Sequence, residues 1–381
     1  MKILISAIRC SPGDRREAGA TWAWCKAAAR DHEVWLVTRG DSAELIRKEL
    51  AARPVPGLTV VPLDLPWRRD YWWSDSLWFR HAARRVQRLH DEHDFAVIHH
   101  LTVGPRGVPV STTSKEPVRM IWGPVSLPTP IPWSLTHWLG ADGLTAEIGR
   151  RLAAAVTRRI FARRAARQAD LVVAQDNDVA TLLHHRAVVE PVVAIRPVTG
   201  GGGPGDGFGA VGSRTAVFAG RLVPDKGLQL AIRALARPTA ARWELRVMGD
   251  GPDWRRAERL AEHLGVRDRV EFRGDVPRAQ VLASLLRADA LLAPWLRAPA
   301  AWTIAEALAR GCPVVCLDRG APAALVGPGE GAVVSWRGDV VGGLADALGN
   351  ITARIEPVTR WAPDRLPAIL ADWYSTQPAR S

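Results

Sequence analysis

The chain has 381 residues, of which 47% are hydrophobic, and its formal net charge is +12. Its length exceeds a single typical domain, so we expect two, and its basic balance favours acidic partners such as a nucleoside diphosphate, an anionic membrane or nucleic acid. No zinc-knuckle, basic-zipper or stacking-sheet signature supports nucleic acid, and the four cysteines lack metal-finger spacing. Because the sequence has neither a secretory leader nor a long apolar run, we expect a cytoplasmic protein.

Apolar runs of strand length alternate with helical patterns along the chain, which predicts parallel sheets covered by helices on both faces. In the first half, the pattern predicts strands at 2–7, 33–38, 58–63, 95–100, 118–122, 171–174 and 192–195, and helices at 18–30, 42–52, 72–90 and 146–168. In the second half, it predicts strands at 215–219, 243–248, 270–272, 290–293, 313–317 and 331–334, and helices at 227–236, 254–263, 279–288, 303–309, 321–326 and 340–349. The predicted class is α/β, with two doubly wound, Rossmann-like domains.

A glycine-dense stretch from Pro197 to Gly212 separates the two halves and is typical of an interdomain linker. We therefore predict an N-terminal domain over 1–196, a linker over 197–213 and a C-terminal domain over 214–355. A tail over 356–381 is expected to pack back toward the N-terminal domain. Doubly wound sheets bind ligands beyond the carboxyl ends of their strands, so the two domains should face each other across a ligand-binding cleft.

A basic turn follows the first predicted strand of the second half. The segment Gly220 to Gly227 carries Arg221 and Lys226 just before an apolar-periodic helix. Backbone N–H groups and the positive end of a helix dipole favour an anion there, while arginine adds a forked contact and lysine a mobile point charge. Lysine is scarce in this chain, which makes Lys226 stand out from the background. A solvated basic turn is the alternative interpretation.

Several further motifs follow one another along the chain. After the basic turn come Met-Gly-Asp-Gly-Pro at 248–252, Val-Glu-Phe-Arg-Gly at 270–274 and Ala-Glu-Ala-Leu-Ala-Arg-Gly-Cys-Pro-Val-Val at 305–315. The first half carries Cys-Ser-Pro-Gly at 10–13, a Trp-Ala-Trp helix at 22–24, His-His-Leu-Thr at 99–102 and Trp-Gly-Pro-Val at 122–125. Over nearly its whole length, the chain resembles bacterial retaining glycosyltransferases of family 4. The resemblance implies the GT-B fold.

The resemblance also implies a nucleoside-diphosphate sugar as donor, no cofactor and no metal requirement. Arg221 and Lys226 would hold the donor diphosphate and stabilise the charge that builds on it as the glycosidic bond breaks. Glu306 would accept from the two ribose hydroxyls; the alternative is an ordinary first-turn glutamate. The other donor-side positions that the motifs imply are Gly220, Gly249 and the backbone of Ala301, Trp302 and Thr303.

The sugar-binding side departs from the family pattern. Where the paired-carboxylate motif has its first acidic residue, eight positions before Glu306, this chain has Ala298. The alanine side chain cannot accept a hydrogen bond from a sugar hydroxyl. Three explanations are open: the protein holds the donor sugar differently, the sugar lacks the hydroxyl that is usually bound there, or the sugar-binding site has degenerated. The other positions expected to lie beside the sugar or acceptor are Gly19, Gly123, His99 and His100.

His100 is the preferred catalytic histidine, because strand alternation can direct it to the cleft. The alternative is a histidine that is hydrogen-bonded beneath a loop. The family needs no protein nucleophile, since its mechanism is described as front-side attack assisted by the leaving phosphate. We therefore predict Arg221, Lys226 and His100 as catalytic residues and assign no covalent catalyst.

Two further patterns allow a membrane contact, although neither favours one. An aromatic cluster is either an acceptor platform, a membrane contact or a packed helix face: Trp67, Tyr71, Trp72, Trp73 and Trp78. An arginine-rich helix is either a lipid-docking face or, as we favour, a solvated one: Arg150, Arg151, Arg158, Arg159, Arg163, Arg164 and Arg167.

The sequence as a whole predicts a glycosyltransferase that moves a sugar from a nucleoside diphosphate to an acceptor hydroxyl with retention, in specialised metabolite biosynthesis. One alternative is a membrane-peripheral lipid or exopolysaccharide glycosyltransferase. Another is a non-catalytic nucleotide-sugar-binding protein, which the alanine at position 298 suggests. The nucleobase, the sugar, the acceptor and the oligomeric state are left unassigned.

Overall fold

The structure is a computed structural model that describes residues 1–14, 17–64, 74–101, 118–127, 129–156, 162–183, 187–198, 212–297 and 301–375. The chain forms two compact units. The first comprises Met1–Pro128, Ala153–Ala194 and Ala362–Ser381, and the second comprises Thr129–Leu152 and Ile195–Trp361. This grouping differs from the predicted boundary at 196, because residues 129–152 pack with the second unit. Gln229, for example, donates from Nε2 to the carbonyl of Trp138 at 2.8 Å.

Each unit contains one parallel sheet. The strands are β1 (Lys2–Ser6), β2 (Glu33–Thr38), β3 (Leu58–Pro62), β4 (Val97–His100), β5 (Arg119–Val125), β6 (Leu171–Ala174), β7 (Val188–Val189), β8 (Arg214–Ala219), β9 (Trp243–Met248), β10 (Val270–Phe272), β11 (Ala290–Ala293), β12 (Val314–Leu317) and β13 (Gly331–Val334). Among the described residues, the first sheet has the order β3-β2-β1-β4-β5-β6-β7 and the second β10-β9-β8-β11-β12-β13. The strand order reverses at β1/β4 and at β8/β11, as in doubly wound sheets whose ligands lie beyond the carboxyl ends.

The helices alternate with these strands. They are α1 (Glu17–Ala28), α2 (Gly40–Ala52), α3 (Ser74–His93), α4 (Gly140–Val156), α5 (Arg163–Gln168), α6 (Asn177–Leu183), α7 (Leu228–Leu235), α8 (Trp254–His263), α9 (Arg278–Arg287), α10 (Trp302–Leu308), α11 (Gly320–Leu325), α12 (Val340–Asn350) and α13 (Leu366–Ser375). Helix α13 belongs to the first unit, where Trp373 stacks on Trp24 with ring centroids 5.2 Å apart. None of the helices in the described ranges is long and apolar enough to cross a membrane.

The predicted parallel α/β class is confirmed, and most element boundaries agree to within two residues. The predicted strand at 192–195 is wrong. Val192 and Val193 are buried, but their backbone pairs with no strand among the described residues, and the edge strand is instead the two-residue β7. Pro191, which lacks an N–H group, precedes them and cannot donate to a neighbouring strand. The predicted helix at 146–168 begins earlier, at Gly140.

Candidate functional site

The loops that follow β8 and β9 meet at the carboxyl edge of the second sheet. The N–H group of Gly220 donates to the carbonyl of Met248 at 3.0 Å, and that of Leu222 donates to Asp250 at 2.9 Å. Gly249 has a positive φ of 149°, and a Cβ there would lie 1.9 Å from the Gly220 carbonyl oxygen. The two predicted glycines are therefore neighbours, and glycine at 249 is required because the two backbones approach too closely for a side chain.

The basic turn is fixed by its own geometry and by the loop after β11. A short 3-10 turn over Pro224–Lys226 ends at Gly227, which adopts the left-handed conformation with φ 68° and ψ 28°. A Cβ at Gly227 would lie 2.2 Å from the carbonyl oxygen of Pro294. The N–H of Leu296 donates to the Asp225 carbonyl at 2.9 Å. These constraints hold the turn at the start of α7, where a helix dipole favours an anion.

The two cations of the turn differ in environment. The half-buried Lys226 places its Nζ 4.0 Å from the centroid of the Trp295 ring. Desolvation lowers the pKa of the Lys226 ammonium to about 8; Asp225 opposes this shift and Arg221 adds to it. Arg221 is exposed, and within the described part of the chain its side chain forms no ion pair. The turn therefore offers an incoming anion two cations: one exposed guanidinium, and one desolvated ammonium whose charge the anion would stabilise.

Sequence reasoning missed an arginine that braces this turn. The guanidinium of Arg297 contacts the carboxylate of Glu147 on α4 and lies 3.4 Å from Oδ2 of Asp225. The Glu147 side chain has no exposed surface, and it also accepts from the N–H of Ile131 at 3.0 Å and from Arg151 Nε at 3.1 Å. Burial by itself would raise the pKa of the Glu147 carboxyl, but these donors lower it. We call Glu147, Arg297 and Asp225 the brace. Arg297 directly precedes position 298, and that adjacency is the available sequence signal.

Glu306 lies in α10 and is almost fully buried, with 4% of its surface exposed. Its carboxylate is ion-paired with Arg278, the first residue of α9, which sequence reasoning also missed. The sequence carries no local signal for this pairing, because the two residues lie 28 positions apart. The ribose-binding role of Glu306 stays a prediction, and any ligand hydroxyl there would share the carboxylate with Arg278.

The remaining donor-side positions surround α10. Ala301 flanks the start of the helix, and Trp302 and Thr303 are its first two residues. Ala301 and Trp302 are buried, and Thr303 is half-buried. Ala298, the position that departs from the family pattern, lies outside the described residues.

The two predicted histidines end strand β4 in the first unit, and both are buried. Nε2 of His99 lies 2.8 Å from the Gly123 carbonyl oxygen, and Nδ1 lies 2.9 Å from the Tyr374 hydroxyl. A carbonyl only accepts, so His99 carries its proton on Nε2 and accepts from Tyr374 at Nδ1. Burial lowers the pKa of His99 to about 4, so the ring is neutral near pH 7. Both ring nitrogens of His99 are thus used within the first unit.

His100 has a different environment. Its ring meets the Phe79 ring edge-on, with centroids 5.4 Å apart, and neither ring nitrogen has a partner within the described ranges. Burial, together with His99, lowers the pKa of His100 to about 3. His100 is therefore a neutral imidazole in this structure, and its predicted catalytic role stays a prediction.

The two glycines predicted on the acceptor side are explained by backbone packing. A Cβ at Gly19 would lie 1.6 Å from the Asp14 carbonyl oxygen, and one at Gly123 would lie 2.1 Å from the Val173 carbonyl oxygen. Each glycine is required where two backbone segments approach closely.

Parts of the aromatic cluster and of the arginine-rich helix can be placed. Trp78 is a core residue of the first unit, and its Nε1 donates to the Leu63 carbonyl at 3.2 Å. Arg150 and Arg151 of α4 both approach Glu147. Most of the aromatic cluster and two of the arginines lie outside the described residues: Trp67, Tyr71, Trp72, Trp73, Arg158 and Arg159.

Two parallel-sheet α/β units define the GT-B fold, and comparison with solved structures agrees. A lipopolysaccharide outer core galactosyltransferase aligns with a TM-score of 0.60 at 16% identity, covering 99% of this chain and 96% of that one. The Anabaena protein HepE, crystallised with UDP and glucose, aligns with a TM-score of 0.53 at 16% identity, covering 99% of this chain and all of that one. The predicted fold class is confirmed.

Residues 209–347, which contain the basic turn and Glu306, match the family described as glycosyl transferases group 1. An exopolysaccharide phosphotransferase of Streptomyces coelicolor is 34% identical over 142 residues, which are 36% of this chain and 15% of that protein. A 2-deoxystreptamine glucosyltransferase of Streptomyces kanamyceticus is 27% identical over 154 residues, which are 40% of this chain and 37% of that protein. The matched segments thus span well under half the length of these relatives.

Proposed function

We propose that the protein is a glycosyltransferase that moves a sugar from a nucleoside diphosphate to an acceptor hydroxyl with retention at the anomeric carbon. The observation that carries this proposal is the basic turn: Arg221 and Lys226 stand at the carboxyl edge of a doubly wound sheet, inside the segment that matches group 1 glycosyl transferases. HepE, which shares the fold, binds UDP and glucose, and this makes UDP-sugars the first donors to test.

In the proposed reaction, the bond between the anomeric carbon and the diphosphate oxygen breaks as the acceptor oxygen bonds to the same face of that carbon. The acceptor proton passes to a diphosphate oxygen. Negative charge grows on the diphosphate as the bond breaks, and in this proposal Arg221 and Lys226 stabilise it. Loss of one such contact should raise the barrier by about 2–4 kcal/mol, or roughly 30- to 1000-fold in rate.

The test is product analysis with purified protein and a panel of UDP-, GDP-, dTDP- and ADP-sugars, with anomeric configuration read by NMR. Arg221→Gln and Lys226→Met should each lower kcat/KM by about 30- to 1000-fold. The matched control is Arg259→Gln, an exposed arginine on α8 outside the basic turn, which should leave kcat/KM unchanged. An inverted product would contradict retention. Donor binding without turnover across the panel would support a non-catalytic nucleotide-sugar-binding protein instead.

We propose a cytoplasmic reaction on a small specialised acceptor, because the sugar-reading carboxylate is replaced at Ala298 and one relative is a 2-deoxystreptamine glucosyltransferase. A lipid acceptor is the second candidate. It is favoured by exposed apolar side chains in the second unit beside arginines of α4: Trp133 is 65% exposed, Ile148 44% and Leu152 67%. If the protein co-sediments with anionic liposomes and the double substitution Trp133→Ser with Leu152→Ser abolishes this binding, the lipid acceptor is favoured. Absence of such binding would favour the small one.

A further inference from the structure

A cavity in the second unit shares no residue with the predicted donor positions. It has a volume of about 650 Å³. Most of its lining comes from the segment before α4, the end of α7 and the loop between β13 and α12. We call this cavity the arginine–tryptophan pocket, after its cationic and aromatic lining residues: His137, Trp138, Arg233, Arg237, Trp336 and Arg337. A cavity of this size can enclose a small molecule.

The charge of the pocket is strongly positive. Three arginines line it, and the acidic group among its lining residues is Asp339. Asp339 is already engaged, because it pairs with Arg237 at 3.3 Å and accepts from the N–H of Gly342 at 2.9 Å at the start of α12. In the part of the chain that the structure describes, Arg233 and Arg337 have no carboxylate partner. The pocket therefore presents two uncompensated guanidinium groups to an incoming anion.

Both guanidinium groups lie near an indole ring. The Arg337 guanidinium carbon is 4.9 Å from the centroid of Trp336, and that of Arg233 is 5.7 Å from the centroid of Trp138. Such contacts attract the cation through the ring face and restrict the long arginine side chain before any ligand arrives. The planar N–H groups retain donors for a phosphate, which guanidinium groups bind in a forked geometry. Arginines held in this way lose less entropy on binding.

We propose that the arginine–tryptophan pocket binds a phosphorylated small molecule, with Arg233 and Arg337 as the phosphate-binding residues. The half-buried Trp138 and Trp336 add an apolar wall suited to a sugar or base ring. This site is independent of the donor reaction proposed above, because its lining includes neither the basic turn nor Glu306.

The test is isothermal titration calorimetry of the full chain with three probes: inorganic phosphate, glucose 6-phosphate and uridine 5′-monophosphate. Unphosphorylated glucose is the matched ligand control. Phosphate can also bind at the basic turn, so all titrations use a background protein that carries both Arg221→Gln and Lys226→Met. At least one phosphorylated probe should still bind with a submillimolar Kd. Adding Arg233→Gln with Arg337→Gln should weaken that binding at least tenfold.

A matched substitution, Arg259→Gln on α8 with Arg47→Gln on α2, removes the same charge from other arginines, both exposed, and should leave the Kd within twofold. The proposal is overturned if no phosphorylated probe binds to the background protein. It is also overturned if the control pair weakens binding as much as the pocket pair, because general surface charge would then explain the effect. All four arginines are exposed, so both variant proteins are expected to fold.

Discussion

The brace offers a sharp test of how the basic turn is held in place. Changing Glu147 to glutamine keeps the shape of the side chain but removes the charge that faces Arg297 and Arg151. Glu147 has no exposed surface and Arg297 has 12% of its side chain exposed, so water can compensate little of the loss. Breaking a buried ion pair by removing one partner costs about 3–5 kcal/mol. We therefore expect Glu147→Gln to destabilise the second unit by about that amount.

Differential scanning calorimetry measures this cost. For a unit of this size, each kcal/mol corresponds to about 2–4 °C in Tm, so the expected decrease is roughly 6–20 °C. The matched control is Glu262→Gln, an exposed glutamate at the end of α8, for which we expect a change within about 0.5 kcal/mol. Combining Glu147→Gln with Arg297→Met should recover part of the loss, because the uncompensated guanidinium is then absent. A Glu147→Gln protein as stable as the control would refute the argument.

Three further predictions concern the basic turn, its glycine contact and the buried histidine. Desolvation lowers the pKa of Lys226 to about 8, and a diphosphate favours the charged ammonium, so the affinity for UDP should decrease as the pH rises above about 8. The comparison is made above about pH 7, because the terminal phosphate of UDP, with a pKa of about 6, is ionised there. Titration calorimetry should show no such decrease in Lys226→Met. Gly249→Ala should destabilise the protein by at least about 2 kcal/mol in urea unfolding, because its Cβ would collide with a carbonyl oxygen. By contrast, Gly149→Ala, where the added methyl meets open space in a helix, should not destabilise it. Tyr374→Phe should cost about 1–3 kcal/mol by leaving Nδ1 of His99 unsatisfied; an unchanged unfolding midpoint would contradict a stabilising role for this buried hydrogen bond.

The sequence predicted the elements well where a single physical signal dominated. Continuous apolar runs such as β8 and β12 are buried on both faces, so their composition alone indicates parallel strands. The prediction was wrong at 192–195, where Val192 and Val193 are buried without joining any strand of the described residues, because burial and strand pairing give the same sequence signal. The start of α4 was placed too late, since its first residues are Gly140, Ala141 and Asp142, which carry no helical periodicity.

The sequence by itself determined the α/β class, the position of the basic turn and the glycine pattern, because each depends on residues that are close together along the chain. The tertiary structure alone decided the ion-pair and hydrogen-bond partners. Arg278 pairs with Glu306 across 28 residues, Arg297 with Glu147 across 150, and His99 with Tyr374 across 275. Charged and polar side chains can pair with many counterparts, and only packing selects which of them meet in a buried place. For that reason the sequence located the cations of the candidate site, and the fold determined what holds them there.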